Sequence, residues 1–165
     1  MPELQLLRAD HAPALLAFER ENRAFFAAAI PDRGDAYFAE FEARHQALLD
    51  EQATGTIAFH VLVDETTGEI LGRFNLVDLH DGTADVGYRL AEKATGRGLA
   101  TAAVLDLCSL AATRYGLHTL NAATTLDNTA SHQVLTRTGF TPTGTTTLLG
   151  EPARAYTRQV HAPKA

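Results

Sequence analysis

The sequence predicts a mixed α/β domain built on one layer of sheet. Three observations carry that prediction. Residues 85–90 alternate with period two, Val86, Tyr88 and Leu90 against Asp85, Gly87 and Arg89, the pattern of a strand. Leu15, Phe18, Asn22, Phe25, Phe26 and Ala29 recur three and four apart, the pattern of a helix. Segments of the two kinds interleave as β-α-α-β-β-β-α-β-α-β-β within 165 residues, a length that suits one domain with a real core.

Taken in order, residues 3–8 read as the first strand. Asp10 is the expected N-cap of the first helix, with Pro13 in its first turn. That helix carries the Leu15 to Ala29 stripe, bends near Asn22 and ends before Pro31. Asp32-Arg33-Gly34-Asp35 is a turn. A second amphipathic helix places Tyr37, Phe38, Phe41, His45, Leu48, Leu49 and Gln52 on one face. Gly55 resets the period, and Ile57, Phe59, Val61 and Val63 mark a strand. Residues 64–68 turn, and residues 70–79 form a longer strand with Leu71, Arg73 and Asn75 on one face. Asp81-Gly82 is a hairpin signal ahead of the 85–90 strand. Residues 99–114 form a long, almost wholly apolar helix stopped by Gly116. Residues 117–125 are a strand. Residues 127–139 hold a short helix with Val134 and Leu135 as apolar positions and Gly139 as its left-handed stop. Residues 140–149 and 153–160 are the last strands, joined around Gly150-Glu151-Pro152. The domain is expected to span residues 1–161, with a frayed tail at 162–165.

Composition excludes several classes of function. No apolar run approaches the ~20 residues of a membrane helix, and residues 1–13 lack the basic flank and apolar core of a signal peptide. The one cysteine, Cys108, falls inside the apolar helix, where a buried reduced thiol is expected. A cytoplasmic protein without a membrane partner is expected. The formal net charge of −6 argues against nucleic acid as a partner. It suits a cationic partner such as an amine, or simply a soluble acidic protein. His11, His45, His60, His80, His118, His132 and His161 show no paired ligand spacing, so no metal is expected.

The strand, glycine turn and helix of residues 85–115 carry the chemistry. The first amides of a helix have no intrahelical acceptor and the helix dipole places partial positive charge there, so such a turn binds anions. Gly96 and Gly98 allow positive φ and close approach of a phosphate. A nucleotide P-loop is excluded, because no Gly-Lys-Ser/Thr follows. A dinucleotide fingerprint is excluded by Thr101, where a third glycine is needed.

Lys93-Ala94-Thr95-Gly96-Arg97-Gly98-Leu99-Ala100 resembles the pyrophosphate loop of the Gcn5-related N-acetyltransferase (GNAT) superfamily, Gln/Arg-x-x-Gly-x-Gly/Ala, with Lys93 in the Gln/Arg place. Asn128-x-x-Ser131, Leu135 and Thr138-Gly139-Phe140 resemble a segment of its RimJ/RimL-like branch, which acetylates N-terminal residues of ribosomal proteins. The element order is similar to that family over essentially the whole chain. The resemblance implies a single-domain GNAT fold: a predominantly antiparallel seven-stranded sheet with strands four and five splayed, flanked by four helices. It implies an enzyme using acetyl-CoA as co-substrate, with coenzyme A held in the splay. Main-chain amides from Thr95 and Gly96 through Arg97, Gly98, Leu99, Ala100 and Thr101 would grip the pyrophosphate, and Lys93 and Arg97 would add charge. The backbone of Tyr88, Arg89 and Leu90 would pair with the pantetheine arm and present an amide to the thioester oxygen. The side chains of Tyr88 and Leu90 serve equally well as sheet core.

The implied reaction is attack of a neutral amine on the thioester, with one proton leaving the amine and one reaching the thiolate. Ser131 is the candidate for the second transfer, since Rim-type enzymes use a serine at the matching place. Many other members use a tyrosine where this chain has Leu135. The alternative role for Ser131 is a capping hydroxyl. Asn128 is expected to cap that helix and touch the pantetheine arm. The base is less well specified. Many relatives carry a glutamate where this chain has Ala123, which leaves Asp85 as the best carboxylate, with Asn75 and His60 weaker. Arg33, Asp35 and Tyr37, at the turn between the first two helices, are candidate acceptor contacts, as is Asn75.

A magnitude favours one class of acceptor. An α-amine with pKa near ~7.8 is neutral about once in seven at pH 7, and a lysine near ~10.4 about once in 2,500. The difference is roughly 3.5 kcal/mol of deprotonation. A site without a strong base therefore suits a protein or peptide N-terminus. A small amine (antibiotic, polyamine or amino acid) is the alternative acceptor, and a non-catalytic acyl-CoA-binding module is the alternative of another class. A monomer or a homodimer is compatible with the sequence.

Overall fold

A computed structural model describes residues 2–161, so the tail expected at 162–165 lies outside the described residues. Seven strands form one sheet: β1 (Pro2–Leu6), β2 (Ala58–Asp64), β3 (Ile70–His80), β4 (Thr83–Leu90), β5 (Thr119–Thr125), β6 (Thr141–Leu148) and β7 (Glu151–Gln159). Their order is β1-β2-β3-β4-β5-β7-β6. The helices are α1 (Ala12–Glu21), α2 (Arg23–Ala27), α3 (Asp35–Ala39), α4 (Phe41–Ala53), α5 (Leu99–Thr113) and α6 (Thr129–Arg137). The sheet is mostly antiparallel, as expected. The parallel pair is β4 with β5, where Thr83, Ala84 and Asp85 lie opposite Thr119, Leu120 and Asn121.

Each of the first two expected helices is two helices, so six stand where four were expected. The first break falls at Asn22, with φ −102° and ψ 8°. Its buried side chain donates from Nδ2 to the Phe18 carbonyl at 2.9 Å and accepts the Glu92 amide at 3.0 Å. A side chain that competes for backbone partners ends a helix. The second break is at Glu40, across which Tyr37 and Phe41 keep an edge-on ring contact at 5.7 Å. Asp10 is not the N-cap of α1. A 3-10 turn over Ala9–His11 intervenes, the Arg8 amide donates to His11 Nδ1 at 3.0 Å, and Asp10 instead pairs with Arg8 at the surface. The first strand accordingly stops at Leu6, two residues short of its expected end.

The described residues fall into two compact units. The first holds the chain up to Asn75 together with Tyr88–Arg97. Its core is Leu15, Phe18, Phe26, Tyr37, Phe41, Val61, Leu62 and Phe74. Side chains from Ile70 to Phe74 are buried on both faces of β3, so Arg73 sits in the interior, where Glu19 is buried as well. Gly72 is required by close approach: a Cβ there would lie 2.9 Å from the Phe74 ring and 3.0 Å from the Arg89 carbonyl. Ala91 N donates to Leu71 O at 2.7 Å and continues that contact past the end of β4.

The second unit holds Leu76–Gly87 and the chain from Gly98 on. Helix α5 buries Ala103, Val104, Leu107, Cys108, Ala111 and Ala112, a single stripe at spacings of one, three and four. Each fully buried leucine in such a core contributes about 1.5–3 kcal/mol. Leu135 of α6, Leu120 of β5 and Tyr156 of β7 are equally enclosed. The hairpin at Asp81-Gly82 forms as expected, with φ of 50° and 77°, a pair of positive values that matches the twist of the joined strands.

Candidate active site

The glycine turn has a buried root and an exposed tip. Ala91 and Ala94 are buried, and Thr95 donates from both N and Oγ1 to the Glu92 carbonyl, at 3.1 and 2.6 Å. Thr95, Gly96, Arg97 and Gly98 are exposed. Gly96 and Gly98 both have φ of 74°, and among the described residues no atom beyond the adjoining ones lies within 4 Å of where a Cβ would sit on either. What demands glycine here is backbone conformation, with open space left beside it. Helix α5 starts at Leu99, and Ala102 N donates to Gly98 O at 3.1 Å. The amides of Leu99, Ala100 and Thr101 come before Ala102 and have no intrahelical acceptor. Left-handed glycines, open space and free helical amides suit a phosphate group. The Lys93 ammonium pairs with Glu69 and, at 3.4 Å, with Glu21, so a phosphate would have to share it.

At the end of β4, in the first unit, the Tyr88 ring stacks parallel on Phe74 with centroids 5.4 Å apart. The Arg89 side chain reaches Glu19, the centre of a cluster the sequence did not reveal. Glu19 is 1% exposed and takes three guanidiniums: Arg73 at 2.8 Å, Arg33 at 3.1 Å and Arg89 at 3.3 Å. Arg73 Nη1 also donates to Tyr37 Oη at 3.4 Å. Arg33 lies over the Tyr37 ring at 4.7 Å and Arg89 over Phe26 at 4.6 Å, geometry that holds each guanidinium in place. Burial raises the Glu19 pKa, but Arg73, Arg33 and Arg89 outweigh it and hold the carboxyl below its ordinary 4.5. Burial, then the neighbouring Arg33, lowers the Arg89 pKa against the pull of Glu19. Arg23 pairs with Asp32 and Asp35, each at 2.8 Å. The structure thus brings Arg33 and Tyr37, two of the candidate acceptor contacts, into one network. Asp35 pairs instead with Arg23. Asn75 stands apart from it, its Oδ1 screened from solvent without a hydrogen-bond partner among the described residues. His60 is 1% exposed, with Nδ1 within 3.3 Å of the Phe74 carbonyl, a packed position.

In the second unit Asn128 caps α6, its Oδ1 accepting the Ser131 amide at 3.1 Å. Ser131 is half-buried on the first turn. The next residue pins that turn. His132 Nε2 donates to the Thr125 carbonyl at 3.0 Å, which leaves Nδ1 to accept from the Tyr156 hydroxyl at 2.6 Å. Asp85 is exposed on β4. Partial burial, then the Asp78 carboxylate, raises its pKa above the ordinary 3.8, while His80 opposes. Asp78 has φ of 54° inside β3, and His80 Nδ1 donates to its carbonyl at 2.9 Å. That bond is the main cause of a raised His80 pKa, with Asp81, Asp78 and Asp85 adding to it. Ala123 lies opposite Ala155 on β7 and supplies no acid or base. Cys108 is buried, and burial pushes its thiol pKa up despite Arg158.

Two of the missed residues, Glu19 and Arg73, carried a signal in the sequence. Glu19 stands four after Leu15 and three before Asn22, a carboxylate on an apolar stripe. Arg73 stands between Leu71 and Asn75 on a strand face that is otherwise uncharged. Asp78 carries no such mark, because its backbone twist is a tertiary feature.

Residues 3–141 match the acetyltransferase (GNAT) domain family. This chain belongs to the GNAT family. It is 33% identical over 88 residues to an uncharacterised N-acetyltransferase p20 of Bacillus licheniformis. That match covers 52% of this chain and 49% of the relative, so this GNAT chain spans about half the length of the curated relative it matches. Ribosomal-protein-S5-alanine acetyltransferase from Vibrio fischeri superposes with a TM-score of 0.89 at 22% identity, covering 96% of this chain and 93% of that one. RimJ from Mycobacterium smegmatis, solved with a coenzyme A disulfide, superposes at 0.84 and 22% identity, covering 94% and 80%. The fold is therefore the mixed α/β GNAT fold of an acetyltransferase-class protein, and acetyl-CoA is the co-substrate of its family. Among the described residues no helix is long and apolar enough to cross a membrane, and no group of three or more His, Cys, Asp or Glu is placed to hold a metal ion.

Proposed function

We propose that this GNAT protein transfers acetyl from acetyl-CoA to a primary amine by direct attack, and that the acceptor is a protein or peptide N-terminal α-amine. The observation that carries the reading is the turn at Gly96 and Gly98, both left-handed beside open space and leading into α5. Acetyl-CoA supplies the activated acyl group as a thioester. Amides from Thr95 to Thr101 bind its diphosphate, with charge from Arg97 and a shared Lys93. The Tyr88–Leu90 backbone orients the pantetheine arm, and Asn128 touches it. Asp85, working through water, takes the proton from the amine, and Ser131 gives one to the departing sulfur. Residues 1–161 form the catalytic domain, and the protein works in the cytoplasm.

Two features support an α-amine. No carboxylate stands at Ala123, and exposed Asp85 is a modest base, so the roughly 3.5 kcal/mol needed to neutralise a lysine has no evident source. The Vibrio fischeri fold relative is described by its acceptor, an alanine of a ribosomal protein. The test is thiol release from acetyl-CoA across free N-terminal peptides, Nα-blocked lysine peptides, polyamines and aminoglycosides. Free N-termini should react at least tenfold faster than blocked lysine peptides, the margin left after partial compensation of that difference. Preference for lysine or a polyamine overturns the α-amine reading. Coenzyme A binding with no turnover on any amine overturns the enzymatic one.

A further inference from the structure

Four arginines and three carboxylates meet where α1 and α2 face the Asp32–Asp35 turn in the first unit, and their pairing is uneven. Arg23 holds both Asp32 and Asp35. The ion pairs of Arg33, Arg73 and Arg89 all go to the single carboxylate of Glu19. One buried carboxylate needs one good partner to be compensated. Arg73, 4% exposed, is that partner at 2.8 Å. Arg33 and Arg89 stand farther off, at 3.1 and 3.3 Å, and both line an open cleft with Glu19, Arg23, Phe26, Phe38 and Asp32, whose carboxylate is held by Arg23. The Arg33 and Arg89 side chains keep 30% and 21% of their surface exposed, and each is seated on an aromatic ring. Their donors are held in place and still within reach of solvent. The surrounding guanidiniums already press on the Arg89 charge.

We propose that Arg33 and Arg89, set in place by Glu19 and backed by Arg73, bind a carboxylate of the amine acceptor, so that the preferred acceptor is anionic although the chain as a whole is acidic. The inference rests on the acetyl-transfer reading and narrows its acceptor. A guanidinium meets a carboxylate through paired, charge-assisted hydrogen bonds. It also reverses an expectation from net charge. The −6 of the whole chain suits a cationic partner, but recognition follows the charges lining the cleft. The carboxylate is either a side chain close behind the N-terminus or the C-terminal group of a short acceptor.

Calorimetry at saturating coenzyme A separates these sources. The probes are Ala-Glu-Gly-Ala amide, Ala-Gln-Gly-Ala as the free acid, and Ala-Gln-Gly-Ala amide as the neutral reference. At least one acidic probe should bind about tenfold more tightly than the reference, the worth of one charge-assisted hydrogen bond. Arg33→Gln should erase that advantage, and Arg89→Gln should do the same. The probe that gains identifies the source. Equal affinity for all three, no binding by any, or an advantage that survives both substitutions overturns the proposal. Thiol release with the same peptides is read separately. Turnover without acid preference sinks only the anion site, and acid-selective binding without turnover sinks only the transferase reading.

Discussion

Replacing Glu19 by Gln keeps the shape of the side chain and removes one charge. The carboxylate is 1% exposed and its closest partner, Arg73, 4% exposed. Removing one partner of a buried pair costs roughly 3–5 kcal/mol, because the other charge is left without compensation. For a chain of this length each kcal/mol lowers the melting temperature by about 2–4 °C. The variant should therefore melt roughly 6–20 °C below the parent at pH 7. The deficit has a defined pH dependence. The folded-state pKa of Glu19 lies below its ordinary 4.5, so its contribution is fully present above that value. It is lost as pH falls through the folded pKa. Melting curves of parent and variant, recorded by circular dichroism from neutral pH down to pH ~3, should stay a constant distance apart above about pH 5 and converge below it. Adding Arg73→Gln should recover part of the loss, since the uncompensated cation goes too. A deficit under about 1 kcal/mol, or a gap that does not close in acid, would refute the reasoning that Glu19 is the charged centre of the network.

Three further predictions concern the second unit. Ser131→Ala should lower kcat roughly a hundredfold or more, the usual worth of a positioned proton donor. It should leave coenzyme A affinity unchanged, because the Asn128 cap is bonded to the Ser131 amide, which alanine keeps. Asn128→Ala should cost about 1 kcal/mol of stability by removing that cap, seen as a melting temperature about 2–4 °C lower. Asp78→Asn removes the carboxylate that raises the Asp85 pKa, while asparagine tolerates the positive φ at that position. The acidic limb of kcat/KM should then move to lower pH, and a limb that stays in place excludes Asp85 as the base.

Period and punctuation carried most of the fold. The strand alternations, the α5 stripe, the Asp81-Gly82 hairpin and the Gly139 stop all lie where their spacing puts them. The break at Asn22 was readable too, because a polar residue on an apolar helical stripe is an anomaly with a cause. Asp10 misled for a physical reason. A capping residue type before an apolar stripe does not reveal that His11 supplies an acceptor to the chain ahead of it. The Glu40 break leaves no signature in spacing, since Tyr37 and Phe41 remain in register across it. At the site, the glycine turn was legible because its function resides in main-chain conformation, which glycine advertises. The Glu19 cluster was not, because Arg33, Arg73 and Arg89 come from a turn and two strands that only tertiary pairing brings to one carboxylate. Arg89 carries both lessons: its alternation located the strand, and its side chain serves a neighbour seventy residues earlier.

The most direct measurement is a calorimetric titration of coenzyme A into the parent and into Gly98→Val. Among the described residues no atom beyond the adjoining ones lies within 4 Å of the added Cβ, so the loss of the φ of 74° is the main cost to folding, about 1–3 kcal/mol, which a melting curve will register without abolishing the fold. The valine side chain would occupy the space left for the diphosphate, and affinity should fall at least tenfold, about 1.4 kcal/mol. A folded variant that binds coenzyme A as tightly as the parent would contradict the assignment of the diphosphate to the amides of residues 95–101.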